Sequence, residues 1–158
     1  MRVFAIDPGN VESAYCVIDG DTLGPLKFDK VENAELLELV RHDRLRADVI
    51  VIERVASYGM AVGKEVFETC EWVGRFTEAA SAQEIPVEYI YRKDEKLHIC
   101  HDSRAKDANI RRALIDRFAR HDLKNGRGTK KSPDFFYGFR ADIWAAYAVA
   151  ITWAETRR

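Results

Sequence analysis

Short apolar runs, each closed by a turn or an acid, divide the chain into extended and helical stretches. Val3-Phe4-Ala5-Ile6 is uniformly apolar and runs into Asp7, and Pro8-Gly9 follows at once. Val, Phe and Ile favour a strand and Pro-Gly ends one, so residues 2–7 read as the first strand. Residues 13–18, Ser-Ala-Tyr-Cys-Val-Ile, read as a second, joined to the first by a short turn. Asp19-Gly20-Asp21 is turn chemistry, and residues 25–28 read as a third strand. Three strands on tight turns make an antiparallel meander. Residues 32–41 form a short helix with Leu36, Leu37 and Val40 on one side.

Val49-Ile50-Val51-Ile52 is a continuous β-branched run, the pattern of a strand buried on both faces, and it ends in Glu53 as the first strand ends in Asp7. After a helix, such a strand is most simply parallel to the first. Residues 62–82 then show helical spacing, with Val66, Cys70, Val73 and Ala80 as the expected core stripe. Trp72 and Phe76 fall off that stripe among Glu65, Glu68 and Arg75, either as a partner surface or packed under a neighbouring loop. Residues 86–91 alternate as a fifth strand. Residues 104–120 read as a second long helix, with Ile110, Leu114 and Phe118 on one face and Arg111, Arg112 and Arg120 off it. Residues 125–133, Asn-Gly-Arg-Gly-Thr-Lys-Lys-Ser-Pro, are a glycine-rich basic loop, too polar to pack. In residues 141–154 only Asp142 and Thr152 are not apolar, so this last helix is buried almost all round, with its acid in the first turn.

A chain of 158 residues fits one domain, residues 1–158, with a real core. No apolar run is long enough to cross a membrane and the N-terminus lacks a signal-peptide pattern. Cys16, Cys70 and Cys100 are scattered and odd in number, which fits reduced thiols in a cytoplasm. His98, Cys100 and His101 lie close together without a second ligand pair at zinc spacing, so they do not read as a metal site. The net charge of −1 hides an asymmetry: residues 104–131 carry +7 and the remainder −8. A basic block on a near-neutral protein points to an anionic partner such as nucleic acid, or to a solvated helix face. Its candidate DNA contacts are Arg104, Lys124, Arg127, Lys130 and Lys131.

Asp7, Glu53 and Asp142 each begin or end an apolar element. Brought together, carboxylates about 4 Å apart repel by roughly 4 kcal/mol at an effective dielectric of 20. They must then protonate or bind a divalent cation, and hard oxygen ligands suit Mg²⁺, with Mn²⁺ as a substitute. Such ions serve phosphodiester hydrolysis.

The order of elements, with acids after strands one and four and on the last helix, resembles the ribonuclease H-like superfamily. Within it the chain is most similar to the RuvC-type Holliday-junction resolvases, particularly their bacteriophage branch. The resemblance rests on Ile6-Asp7-Pro8-Gly9, Ile52-Glu53-Arg54-Val55 and Ala141-Asp142-Ile143-Trp144-Ala145-Ala146. Tyr58-Gly59-Met60 through Phe67, Arg104-Ala105-Lys106-Asp107 and Phe136-Tyr137-Gly138-Phe139 add to it. It implies an α/β fold with a five-stranded mixed sheet, three antiparallel strands then two parallel, flanked by helices. It implies Asp7, Glu53 and Asp142 as metal ligands and Lys106 as a lysine assisting catalysis. It also implies a homodimer through the helix after Glu53, which would give Trp72 and Phe76 a role at the interface. Many members carry an acid or His one turn before the last Asp, where this chain has Phe139; Asp134 is the nearest spare carboxylate.

The expected function is a metal-dependent endonuclease resolving four-way DNA junctions, in the cytoplasm, or the host cell's if phage-encoded. The alternatives are a ribonuclease H on RNA–DNA hybrids, with Glu65 or Glu68 as its further acid, and a non-catalytic branched-DNA-binding protein.

Overall fold

Alternation along the strands sorts the apolar residues into two layers, one on each face of a sheet. The computed structural model describes residues 1–157. Strands β1 (Arg2–Asp7), β2 (Glu12–Asp19) and β3 (Pro25–Glu32) form the antiparallel meander. Helix α1 (Asn33–Arg41) leads to β4 (Val49–Arg54), which lies parallel to β1. Helix α2 (Lys64–Ala82) leads to β5 (Val87–Tyr91), parallel to β4. The sheet order is β3-β2-β1-β4-β5, the expected five-stranded mixed sheet. Helices α3 (Arg92–Cys100), α4 (Asp107–Phe118) and α5 (Ile143–Thr156) complete the described chain.

Phe4, Ile6, Ile50 and Ile52 face α1 and α2, while Val3, Ala5, Val49 and Val51 face α5. Helix α5 is buried along most of its length, as its composition demands. No described helix is long and apolar enough to cross a membrane.

Several expectations need correction. The third strand extends to Glu32, because pairing with β2 carries its polar residues to Glu12↔Glu32. Helix α3 was not expected, since Arg92-Lys93-Asp94-Glu95-Lys96 offers no apolar period. Helix α4 begins at Asp107, which leaves Arg104 and Lys106 in the preceding turn. Asp142 is the N-cap of α5 rather than a residue of its first turn.

The core stripe of α2 is rotated from the expected one. Its buried residues are Thr69, Phe76, Ala79 and Ala80; Cys70 is exposed and Val66 only half-buried. Phe76 is fully buried, so its ring offers nothing to a partner, and Trp72 lies half-buried beside it with ring centroids 5.9 Å apart. A phenylalanine ring gains more from burial than a valine or cysteine, and the helix rolls to bury it. The outward side of α2 carries Phe67, 60% exposed, with Cys70 and Gly74.

The glycine-rich loop packs better than its polarity predicts. A Cβ on Gly126 would stand 2.9 Å from the Ile115 side chain, and the residue's φ is +71°, so glycine is required there. Asp134 organises the loop, accepting hydrogen bonds from the backbone N–H groups of Arg120, His121, Asp122 and Phe135 at 2.7–2.9 Å.

Candidate active site

Asp7 is delivered by the sheet. Ile6 pairs with Ile52 in parallel register, so Asp7 and Glu53 follow side by side at the carboxyl ends of β1 and β4. They continue the face of Val3, Ala5, Val49 and Val51, the face covered by α5. The turn after Asp7 is fixed from behind. The Gly9 N–H donates to Ser13 Oγ at 3.0 Å, Ser13 Oγ donates to Asn33 Oδ1 at 2.5 Å, and Asn33 Nδ2 donates to the Gly9 carbonyl at 2.8 Å. A Cβ on Gly9 would stand 2.2 Å from the Glu12 carbonyl oxygen, so this close turn admits only glycine.

Asp142 comes from the start of α5. The chain enters that helix through Ala141 at φ +46°, a left-handed conformation between the buried Phe139 and Trp144. Phe139 is 1% exposed and packs among Phe28, Phe136, Trp144 and Tyr147, with ring centroids 4.6–5.8 Å away. The residue at the missing ligand's position is thus a core residue that helps to aim α5.

The three acids share one electrostatic environment. Burial, then the charges of Glu53 and Asp142, push Asp7 up to about 8, against the pull of Arg92 and Lys30. Burial also raises Glu53, opposed chiefly by Arg92. Asp142 is exposed and held by Lys30 of β3, Nζ to Oδ2 2.8 Å.

A fourth carboxylate stands with them. Glu95 of α3 is fully buried, and burial followed by the charge of Glu53 raises it well above the ordinary range. Arg92 Nη1 donates to Glu95 Oε1 at 3.2 Å and lies 3.8 Å from Glu53 Oε2; the same guanidinium pairs with Asp107. Glu53 Oε2 and Glu95 Oε2 are buried without a hydrogen-bond partner. Among the described residues, no three His, Cys, Asp or Glu side chains are arranged to hold a metal ion; Lys30 pairs with Asp142, and Arg92 with Glu53 and Glu95. The donor chemistry fits a hard divalent cation: carboxylate oxygens, two of them buried without a hydrogen bond.

Beside the acids opens a cleft of about 450 Å³ lined by Arg92, Arg111, Arg112, Lys124, Asp142 and Trp144. Arg111 lies over the Trp144 ring, 4.8 Å from its centroid. Arg112 pairs with Asp116 at 2.9 Å and donates to the Lys124 carbonyl at 3.0 Å, tying the loop to α4. Of the expected DNA contacts, Lys124 lines this cleft. Arg127 reaches the Phe139 carbonyl at 3.4 Å, and Arg104, Lys130 and Lys131 are exposed away from the acids' immediate lining. Lys106 is exposed at the N-cap of α4, next to Asp107 of the cleft. Asp134, spent on four backbone N–H groups, is neither a solvated loop residue nor a spare ligand.

Sequence reasoning missed Glu95, Arg92 and Lys30. Each sits in a charged stretch that reads as solvated surface, and only the packing of α3 and β3 around the acids distinguishes them.

No protein-family model matches the chain, and no curated protein matches it. Solved structures do share its fold. The Thermus thermophilus RuvC structure is similar at TM-score 0.68 and 18% identity, covering 98% of this chain and 93% of that one. T. thermophilus RuvC in complex with Holliday junction substrate is similar at TM-score 0.71, with the same identity and coverage. The yeast mitochondrial Holliday junction resolvase is similar at TM-score 0.56 and 16% identity, covering 97% of this chain and 77% of that one. The chain therefore shares the fold of these RuvC structures.

Proposed function

We propose that this protein is a metal-dependent, structure-selective DNA endonuclease that cuts four-way junctions. The observation that carries the reading is the convergence of Asp7, Glu53 and Asp142, with a buried oxygen on Glu53 that accepts no hydrogen bond, beside a cleft lined by arginines. The fold is shared with a RuvC whose structure includes a Holliday junction substrate, which supports branched DNA as the ligand.

Asp7, Glu53 and Asp142 would hold Mg²⁺ or Mn²⁺. The chemistry supplied there is Lewis acidity toward a phosphodiester and activation of the attacking water. Arg111 and Lys124 bind and orient the phosphate backbone along the cleft, while Arg112 holds the Lys124 loop in place. Lys106, exposed on the turn before α4, would assist catalysis near the scissile phosphate. Lys30 and Arg92 neutralise the acids before the cation arrives, which lowers the cost of assembling four carboxylates without it.

A four-way junction is two-fold symmetric, and a two-fold enzyme meets it with one reused patch. We place that patch on the outward side of α2, around Phe67, Cys70 and Gly74, in place of Phe76. The test is cleavage of four-way junction, linear duplex and RNA–DNA hybrid side by side, with and without Mg²⁺. Junction cleavage that needs the metal is expected. Preferred cleavage of the hybrid would make the protein a ribonuclease H, and binding without cleavage would make it a junction-binding protein.

A further inference from the structure

We propose that Glu95 is a fourth carboxylate ligand of the divalent cation, delivered by α3 from across the end of the sheet. The inference rests on the nuclease reading above and names a residue that reading does not require.

Glu95 is 0% exposed and is the buried residue of α3, whose other positions are half-buried except for the exposed Lys93 and Leu97. Burying a carboxylate costs several kcal/mol unless its oxygens are paired. Only one oxygen of Glu95 is paired: Oε1 accepts from Arg92 at 3.2 Å, while Oε2 is buried without a hydrogen bond. Glu53, its neighbour, has the same defect on its own Oε2. Two adjacent carboxyls, each with a buried oxygen that no other group's hydrogen bond reaches, must share a proton between them, with Arg92 3.8 Å from the Glu53 oxygen, and are a poor way to pin a helix. A leucine or glutamine would hold α3 at less cost. Those two oxygens would offer a divalent cation hard carboxylate ligands.

The other spare positions are closed. Phe139 is in the aromatic core and Asp134 is fully used by the backbone. Arg92 marks the place as cationic. Its guanidinium already bridges Glu95, Glu53 and Asp107, and it lines the cleft toward which it can swing when a cation displaces it.

The test titrates MnCl₂ alone into the wild-type protein and Glu95→Gln by calorimetry, with thermal melts of both in the presence and absence of Mn²⁺ and a junction-cleavage assay beside them. A ligand role predicts that Glu95→Gln binds Mn²⁺ at least tenfold more weakly and loses most of the Mn²⁺-induced rise in melting temperature. Without metal it should melt as high as the wild type or higher, because the amide is neutral at every pH and can still donate to Glu53. A purely structural Glu95 predicts the reverse: a lower metal-free melting temperature with Mn²⁺ affinity within twofold of wild type. That result overturns the proposal.

The two readings fail separately. If Glu95→Gln loses Mn²⁺ binding but the wild type cuts no DNA, Glu95 stands as a ligand and the nuclease reading falls. If the wild type cuts junctions and Glu95→Gln binds and cuts alike, the nuclease reading stands and Glu95 is not a ligand. A wild-type protein that binds no Mn²⁺ overturns both.

Discussion

Lys30 and Asp142, 112 residues apart, meet at 2.8 Å, Nζ to Oδ2, where β3 passes the start of α5. Donating to Asp142 raises the Lys30 ammonium's pKa, which keeps Lys30 charged. Lys30 therefore competes with any cation for Asp142. A pair this exposed is worth about 0.5 kcal/mol. Lys30→Met should tighten Mn²⁺ binding by about twofold to threefold. Calorimetry checks it, and weaker binding in the variant would show that Lys30 supports the site rather than competes for it.

Asp7→Asn should abolish junction cleavage, by about a thousandfold or more, while leaving junction binding intact. It should also stabilise the metal-free protein. Asp7 is raised from 3.8 to about 8, so the folded chain keeps a proton that the unfolded chain releases. Its contribution to stability is full below about pH 4 and is lost as pH rises toward 8. Asparagine has no such dependence, so the variant's advantage in melting temperature should widen between those values. Melts at pH 5 and pH 8 decide this.

Asp134→Asn should act on the fold and not on the chemistry. Burial alone would raise the Asp134 carboxyl, but its backbone N–H donors outweigh that and hold it well below the usual range. An amide offers one acceptor oxygen in place of two and leaves buried donors unpaired, at about 2 kcal/mol or more. A depressed carboxylate stabilises above its unfolded pKa and loses that contribution as pH falls below about 4. The wild-type advantage in chemical denaturation should therefore shrink in acid, while cleavage by the folded variant stays within about tenfold at neutral pH.

Salt dependence separates the cleft from the loop. Removing one cation that neutralises a phosphate should flatten the slope of log affinity against log salt by about 0.9 on duplex arms. Arg111→Ala and Lys124→Ala, in the cleft, should each do so and slow cleavage. Changing Lys130 and Lys131 together to Ala should flatten the slope without altering the single-turnover rate at saturating protein. An unchanged slope for the loop variant would place the loop off the DNA path.

The surface of α2 gives a cleaner test of assembly than its aromatic core. Phe67→Glu should yield a folded monomer, because Phe67 is 60% exposed. Phe76→Ala should instead cost about 3–5 kcal/mol of stability through the cavity it leaves. Sedimentation of the wild type and Phe67→Glu at micromolar concentration reads the difference, and identical sedimentation of the two would remove α2 from the interface.

Local pattern determined much of this protein. The apolar run into Asp7, the β-branched run into Glu53 and the nearly all-apolar α5 each announce their element, because a strand or helix buried on every side has little choice of residue. From the parallel relation of β1 and β4 the meeting of Asp7 with Glu53 followed. Three matters were decided only in tertiary structure. The roll of α2 depends on what lies beneath it, and a buried Phe76 outweighs a stripe of valine and cysteine. Asp134 looks like any loop acid until the chain folds four backbone donors around it. Glu95 sits in a run of charges that any one-dimensional reading assigns to solvent. Its burial comes from α3 crossing the end of the sheet against α4 and α5, a long-range packing that leaves no period in the sequence.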